Sequence, residues 1–330
     1  MKKILKFMLL AFSLILVFSS FGGNLEASAK TTNLNQTKQI LSKHYRFYRS
    51  PTKLTKASRT STAYYLKRVH VSKETHNKHG YFYKVDYQGK QFGWIKRGAF
   101  YTKIYETCNY RYKLTINSTN TKLYSAPASV LGDKRLGTVK SLKLSKYITG
   151  IKRDDLNNNK SWGYISFKQH GKTYWVKAQA VKFRDLNALK GNNKKVEKAI
   201  ATGLKLVGKS PYNWGGGRNS YDIARRSFDC SSFIHYIYAK AGVRLGNTAT
   251  ATTYSEVKLG KKISYKNMKR GDIFFFTAPG EGVNCHVAIY LGNHLFLHDS
   301  PASDTGGVGV SSLLQKEWKS YFNYRIRRVA

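Results

Sequence analysis

The stretch RSFDCSSFIHYIYAKAG, residues 226–242, decides the fold of the second half of the chain. Phe233, Ile234, Ile237 and Ala241 recur at helical spacing, Gly242 supplies a stop, and Asp229 has the short acceptor side chain that suits an N-cap. Cys230 therefore falls in the first turn of an amphipathic helix. A thiol at that place is either small apolar packing or a nucleophile, because the unpaired N–H groups of a helix start favour a thiolate.

Upstream, Val196, Ile200, Leu204 and Val207 mark another helical face, ended by Gly208 and Pro211 and preceded by a polar linker from Lys190 to Lys195. Downstream, the pattern changes to that of strands: GDIFFF (271–276), HVAIYLG (286–292), LFLHDS (295–300) and YRIRRV (324–329). Helices followed by an antiparallel sheet predict an α+β domain over residues 191–330, long enough for one hydrophobic core.

A free thiol titrates near 8.5, so only about 3% of it is thiolate at neutral pH. A helix start contributes up to ~2 kcal/mol, or about 1.5 pKa units. The dipole alone falls short, so a nucleophilic Cys230 needs an imidazole to take its proton. His286 and His298 lie on strands joined by an expected hairpin through Gly292 and Asn293. A two-residue loop sets the two histidines on opposite faces, with Asp299 opposite His286, whereas an odd-length or bulged loop puts His286 and His298 on one face. The sequence leaves both registers open. His235 is expected on the helix surface, His294 in the turn, and Cys285 behind the His286 face.

The first half carries a weak repeat. GYFYKVDYQGKQFGWIKRGAF (80–100) matches SWGYISFKQHGKTYWVKAQAV (161–181), and RFYRSP (46–51) echoes KLYSAP (122–127). Period-two alternation bounded by Gly, Asn and Pro reads as short antiparallel strands, so each unit is expected to be a small barrel. The expected boundaries are 30–105 and 106–190. Trp94 and Trp175 read as core rather than as ligand platforms.

The chain has 58 Lys and Arg against 17 Asp and Glu, a formal charge of +41. Residues 30–193 hold 34 of these basic residues and only 7 of the acidic ones, so the excess lies mostly in the repeats. Such a field attracts polyanions in a salt-sensitive way. Nucleic acid is not the expected partner, because no zinc finger, RNP-like motif or heptad-linked basic region is present. Residues 1–29 show a basic head, an apolar run from Phe7 to Phe18 and small residues at Ala27-Ser28-Ala29, the order of a cleaved secretory leader. No transmembrane anchor is expected once it is removed. Three cysteines, Cys108, Cys230 and Cys285, are odd in number and lack metal-ligand spacing, so at least one thiol is expected free and no metal site is expected.

The ordered set GKSPYNWGGG (208–217), FDCSS (228–232), GDIFFF, HVAIYLGN and FLHDS (296–300) resembles the NlpC family of cell-wall cysteine endopeptidases over about residues 194–329. The resemblance implies a papain-like α+β core that hydrolyses peptidoglycan stem peptides, commonly between γ-linked D-glutamate or its amide and the following diamino acid. It implies Cys230 as nucleophile, His286 as general base and then acid, and His298 as the polar residue that orients His286. It further implies that Tyr212, Trp214, Asp229 and Ser231 line the substrate cleft, and that no metal or organic cofactor is needed. The repeats resemble GW-type, SH3-like modules of Gram-positive surface proteins. That implies two SH3-like barrels that hold a secreted protein on the wall through teichoic or lipoteichoic acid.

Two departures from the family pattern stand out. Ser232 takes a place usually held by glycine, which is expected to crowd the helix start. GNTATATTYSE (246–256) replaces a segment that usually carries an arginine and a later glutamine. The competing readings are a wall-binding adhesin whose peptidase fold has decayed, and an amidase or acyltransferase with the same chemistry. Removing residues 30–190 is expected to weaken wall retention while sparing cleavage of soluble fragments.

Overall fold

The computed structural model describes residues 30–156 and 163–330. The expected leader, and Ser161 and Trp162 of the second repeat, lie outside the described residues. The chain divides into two compact units, one ending at Tyr101 and one running from Thr102 to Ala330.

The first unit holds strands β1 (Lys30–Gln39), β2 (Arg46–Ser50), β3 (Thr55–Thr60), β4 (Arg68–Asn77), β5 (Gly80–Tyr87) and β6 (Lys90–Lys96). They form one antiparallel sheet in the order β1-β4-β5-β6-β2-β3. Alternation along β4 and β5 buries Val69, Val71, Tyr83 and Val85, which pack with Phe47, Phe92, Ile95 and Phe100. Gly93 of the Gly-Trp pair has φ +97°, and a Cβ there would meet the Tyr48 carbonyl oxygen at 2.5 Å, so only glycine lets β2 approach β6. Trp94 is half-buried.

In the second unit, β7 (Ile104–Asn109), β8 (Lys113–Ile116), β9 (Lys122–Tyr124), β10 (Arg135–Thr138), β11 (Tyr147–Thr149), β12 (Lys152–Leu156), β13 (Gly163–Gln169), β14 (Lys172–Lys177) and β15 (Val181–Phe183) make two sheets. Their orders are β10-β9-β14-β13-β12-β7 and β11-β8-β15. Trp175 is buried, in keeping with a packing role.

The expectation of SH3-like barrels is corrected, because among the described residues no sheet closes on itself. Period-two alternation licenses antiparallel pairing but says nothing about closure. In the first unit the would-be seam strands β1 (KTTNLNQTKQ) and β3 (TKASRT) carry almost no apolar side chains, and every residue in them is exposed or half-buried. They have no inward row with which to complete a barrel core. In the second repeat the strands instead divide between two open sheets.

The rest of the second unit is α+β. It comprises α1 (Lys194–Leu204), α2 (Ser220–Arg225), α3 (Cys230–Lys240), α4 (Thr253–Glu256), β16 (Lys261–Lys262), β17 (Ile273–Ala278), β18 (Gly282–Gly292), β19 (Leu295–Asp299), β20 (Val308–Ser312), α5 (Lys316–Tyr321) and β21 (Phe322–Arg328). The sheet order is β16-β21-β17-β18-β19-β20, and every pairing in it is antiparallel. Phe275, Val287, Ile289 and Leu297 share one core with Ile200 of α1 and with Phe233 and Ile237 of α3. Phe274, Phe276, Ala288 and Phe296 form a second core with Trp318 of α5 packed on it. No helix among the described residues is long and apolar enough to cross a membrane.

Candidate active site

Asp229 has the extended backbone of an N-cap, and Cys230 is the first residue of α3. Asp229 Oδ1 accepts the Ser232 backbone N–H at 2.9 Å, and Ser232 Oγ accepts the Asp229 N–H at 3.0 Å. This is a reciprocal capping box. Ser232, expected to crowd the turn, helps to build it instead. The room comes from Gly217 at φ +78°, where a Cβ would lie 2.5 Å from Ser232 Oγ and from the Phe228 ring.

The hairpin question is answered by a bulge. Ile289 pairs with Leu297 and Tyr290 with Phe296, then the register slips before Gly292 pairs with Leu295. Asn293 and His294 both have positive φ in the turn. That register puts His286 and His298 on one face, and His286 Nε2 lies 2.9 Å from His298 Nδ1. His298 Nε2 in turn lies 2.9 Å from Ser311 Oγ on β20. The Trp318 ring covers the pair, with its centroid 5.7 Å from that of His286 and 4.9 Å from that of His298. Asp299 does not take the third place. It lies on the opposite face, fully buried, and neither carboxyl oxygen has a hydrogen-bond partner among the described residues.

The Cys230 sulfur meets the backbone N–H groups of Ser231 and of Val287, the residue after His286, so α3 delivers the thiol to the strand that carries the imidazole. Burial pushes the thiol well above its ordinary value, reinforced by the charges of Asp229 and Glu256, while those two N–H groups oppose the rise. Burial also lowers His286 to about 3, against the pull of Asp229, and holds His298 well below the usual imidazole range. Burial thus disfavours a lone thiolate and a lone imidazolium alike, and pairing the two charges would offset that cost.

A cleft of about 250 Å³ opens at His286, lined by Tyr212, Trp214, Cys285, Ser300 and Trp318 among others; Cys230 and His298 lie beneath its wall rather than in it. Trp214 is 82% exposed at its rim. Asp229 and Ser231 are buried instead. They are tied to Arg218, whose Nη1 lies 2.6 Å from Asp229 Oδ2 and whose Nη2 donates to Ser231 Oγ and to the Ala251 carbonyl. Arg218 puts a cation beside the start of the Cys230 helix, and the sequence reading missed it although it directly follows the Gly-rich loop. Ser311 and Trp318 were missed as well, since neither belongs to a motif. His235, expected on the surface, is buried with its Nε2 at 3.2 Å from the Gly246 carbonyl. Cys285, expected behind the His286 face, lines the cleft where the β17 pairing slips between Phe276 and Ala278. A larger cleft of about 870 Å³ lies between the second repeat and α1 and contains none of these side chains.

Residues 208–327 match the NlpC/P60 family, and residues 30–101 and 106–182 match the GW (Gly-Tryp) dipeptide domain. The chain is 47% identical over 143 residues to the peptidoglycan DL-endopeptidase CwlO of Bacillus licheniformis, covering 43% of this chain and 30% of that one. It is 37% identical over 124 residues to the probable peptidoglycan endopeptidase LytE of Bacillus subtilis, covering 38% and 32%. The chain thus spans about a third of the length of these curated relatives. A solved NlpC/P60 family protein from Bacillus cereus overlaps 79% of this chain and 81% of its own at 17% identity, with a TM-score of 0.35. With the family match falling on the Cys230 helix and the two-histidine sheet, the C-terminal part of this chain is an NlpC/P60-family domain, carried behind a GW-type region.

Proposed function

We propose that this protein is an exported, wall-associated endopeptidase that cuts peptidoglycan stem peptides at the bond between γ-linked D-glutamate, or its amide, and the next diamino acid. The observation that carries the reading is the bond between His286 and His298 beside a cysteine at a helix start. In this reading His286 Nδ1 takes the Cys230 proton and the thiolate attacks the scissile carbonyl carbon. The Cys230 backbone N–H stabilises the oxyanion. The C–N bond then breaks, the leaving amine takes the proton from His286, and a thioester remains on Cys230. Water adds to it while giving a proton to His286, which returns that proton to the sulfur as the acid leaves. The sequence match to CwlO, named a DL-endopeptidase, supports the choice of bond.

Tyr212 and Trp214 contact the peptide in the cleft, while Asp229 and Ser231, tied to Arg218, hold the helix start that carries Cys230. The basic repeats hold the enzyme on teichoic or lipoteichoic acid. Digestion of purified wall by the intact protein and by Cys230→Ala, with mass spectrometry of the released fragments, tests the whole reading. Equal release by both would end it, and fragments cut at an amide outside the stem peptide would reassign the bond.

A further inference from the structure

The second repeat is not hung on the C-terminal domain by a linker alone. Arg153, 2% exposed, donates to Asp155 and to both carboxylate oxygens of Asp304. The Tyr112 hydroxyl bonds with Ser312 Oγ at 2.8 Å and donates to the Asn293 carbonyl at 3.1 Å. A third contact, from Glu106 on β7, lands nearer the chemistry. Its two oxygens accept the backbone N–H groups of Lys316 at 3.2 Å and Glu317 at 3.0 Å.

Those donors open α5, where no intrahelical partner exists for them. The Gln315 side chain does not cap this helix, and six residues are too few to hold a helix by propensity. Glu106 therefore supplies from the repeat the acceptors that α5 lacks. One residue beyond Glu317, Trp318 lies against both histidine rings. It also packs on Phe276 and Phe296 beneath them.

We infer that Glu106 is a positioning residue for the cysteine-histidine site, which makes the second repeat a working part of the catalytic unit rather than a detachable tether. The inference rests on the cysteine-hydrolase reading above. With α5 anchored, Trp318 fixes the angle of the His286 ring and keeps water off the pair. With α5 loosened, the ring turns and the hydrogen-bond polarity between the two histidines is no longer single.

The test uses the full chain with Glu106→Ala, which removes both acceptors, and Glu106→Gln, which keeps one oxygen. Glu106→Ala should lower kcat by about ten-fold to a hundred-fold with KM little changed, and Glu106→Gln by less. The ring-nitrogen NMR shifts of His286 and His298 at neutral pH should move from one tautomer toward a mixture in the same order. A purely structural role would lower the melting temperature and leave those shifts alone. A folded Glu106→Ala with native kcat and native shifts overturns the inference, and if that variant does not fold, native values in Glu106→Gln do so. The shifts are read without substrate. If the unaltered protein cleaves nothing, or cleaves equally well as Cys230→Ala, it is the hydrolase reading that falls, and the shifts still judge the contact.

Discussion

His298 Nε2 lies 2.9 Å from Ser311 Oγ, at the far end of a chain that begins with the His286 ring. Only one polarity of this chain leaves His286 Nδ1 free to take a proton: His286 Nε2–H donates to His298, and His298 Nε2–H donates to Ser311. The reverse order would put a proton on Nδ1 and block its use as a base. Ser311 can close the chain in that polarity by accepting the His298 Nε2–H, which gives the second histidine's proton a partner. Ser311→Ala should lower kcat about three- to ten-fold, the worth of one hydrogen bond, with KM unchanged, and Ser311→Thr should restore most of it. Steady-state kinetics on a purified stem-peptide fragment checks this, and an unchanged kcat in Ser311→Ala would remove Ser311 from the chain.

Asp299 predicts an acid-to-neutral slope in stability. Burial, with Asp229 nearby, raises its carboxyl from 3.8 to about 8. Below about pH 4 folded and unfolded states both hold the proton; from there to about pH 8 only the folded state does, so it binds more protons and stability falls as pH rises. Above about pH 8 both have lost it and the penalty stops growing. At ~1.36 kcal/mol per unit the loss by pH 7 is substantial, and Asp299→Asn should be more stable there by roughly 2 to 4 kcal/mol yet nearly equal to the native protein at pH 4. Denaturant midpoints at the two pH values decide it.

Arg218 and Ser232 make a pair of predictions about the helix start. Arg218→Ala leaves Asp229, 8% exposed, without its cation and should cost about 3 kcal/mol. The bare carboxylate would also push the Cys230 thiol higher, since Asp229 already raises it, so iodoacetamide should alkylate Cys230 more slowly at neutral pH. Ser232→Gly brings back the residue more usual at that place but deletes half of the capping box, and should lower stability by about 1 kcal/mol. A rise in stability would contradict the box as described.

What the sequence showed of this site was what local pattern controls. The cap, the helix and the order of strands follow from spacing within one element, so Asp229, Cys230 and the β17 to β19 meander were legible. The choice of face for His286 and His298 hung on one bulged residue, which alternation alone does not report. Arg218, Ser311, Trp318 and Glu106 act across elements, up to 211 positions apart for Glu106 and Glu317, and no periodicity encodes such a contact. The missing barrels have a similar cause: alternation marks a strand's two faces, whereas closure depends on whether edge strands carry an apolar row, and β1 and β3 do not.

The same contacts redraw which part of the chain can be removed without harm. Deletion of residues 30–190 would take Glu106, Tyr112 and Arg153 with it, so cleavage is expected to suffer as well as wall retention. Residues 30–101 form their own compact unit with 16 Lys and Arg against 2 Asp and Glu, a dense cationic charge with little internal compensation. Their deletion should leave kcat on a soluble stem-peptide fragment within about two-fold of native. Retention on purified wall should fall and lose much of its dependence on salt, because at 0.15 M the screening length is already about 8 Å and each added cation near an anionic polymer steepens the response. Sedimentation with wall at rising salt, run beside the kinetic assay, separates the two effects. Native retention with a native salt slope would move the anchoring role out of the first unit and into the second.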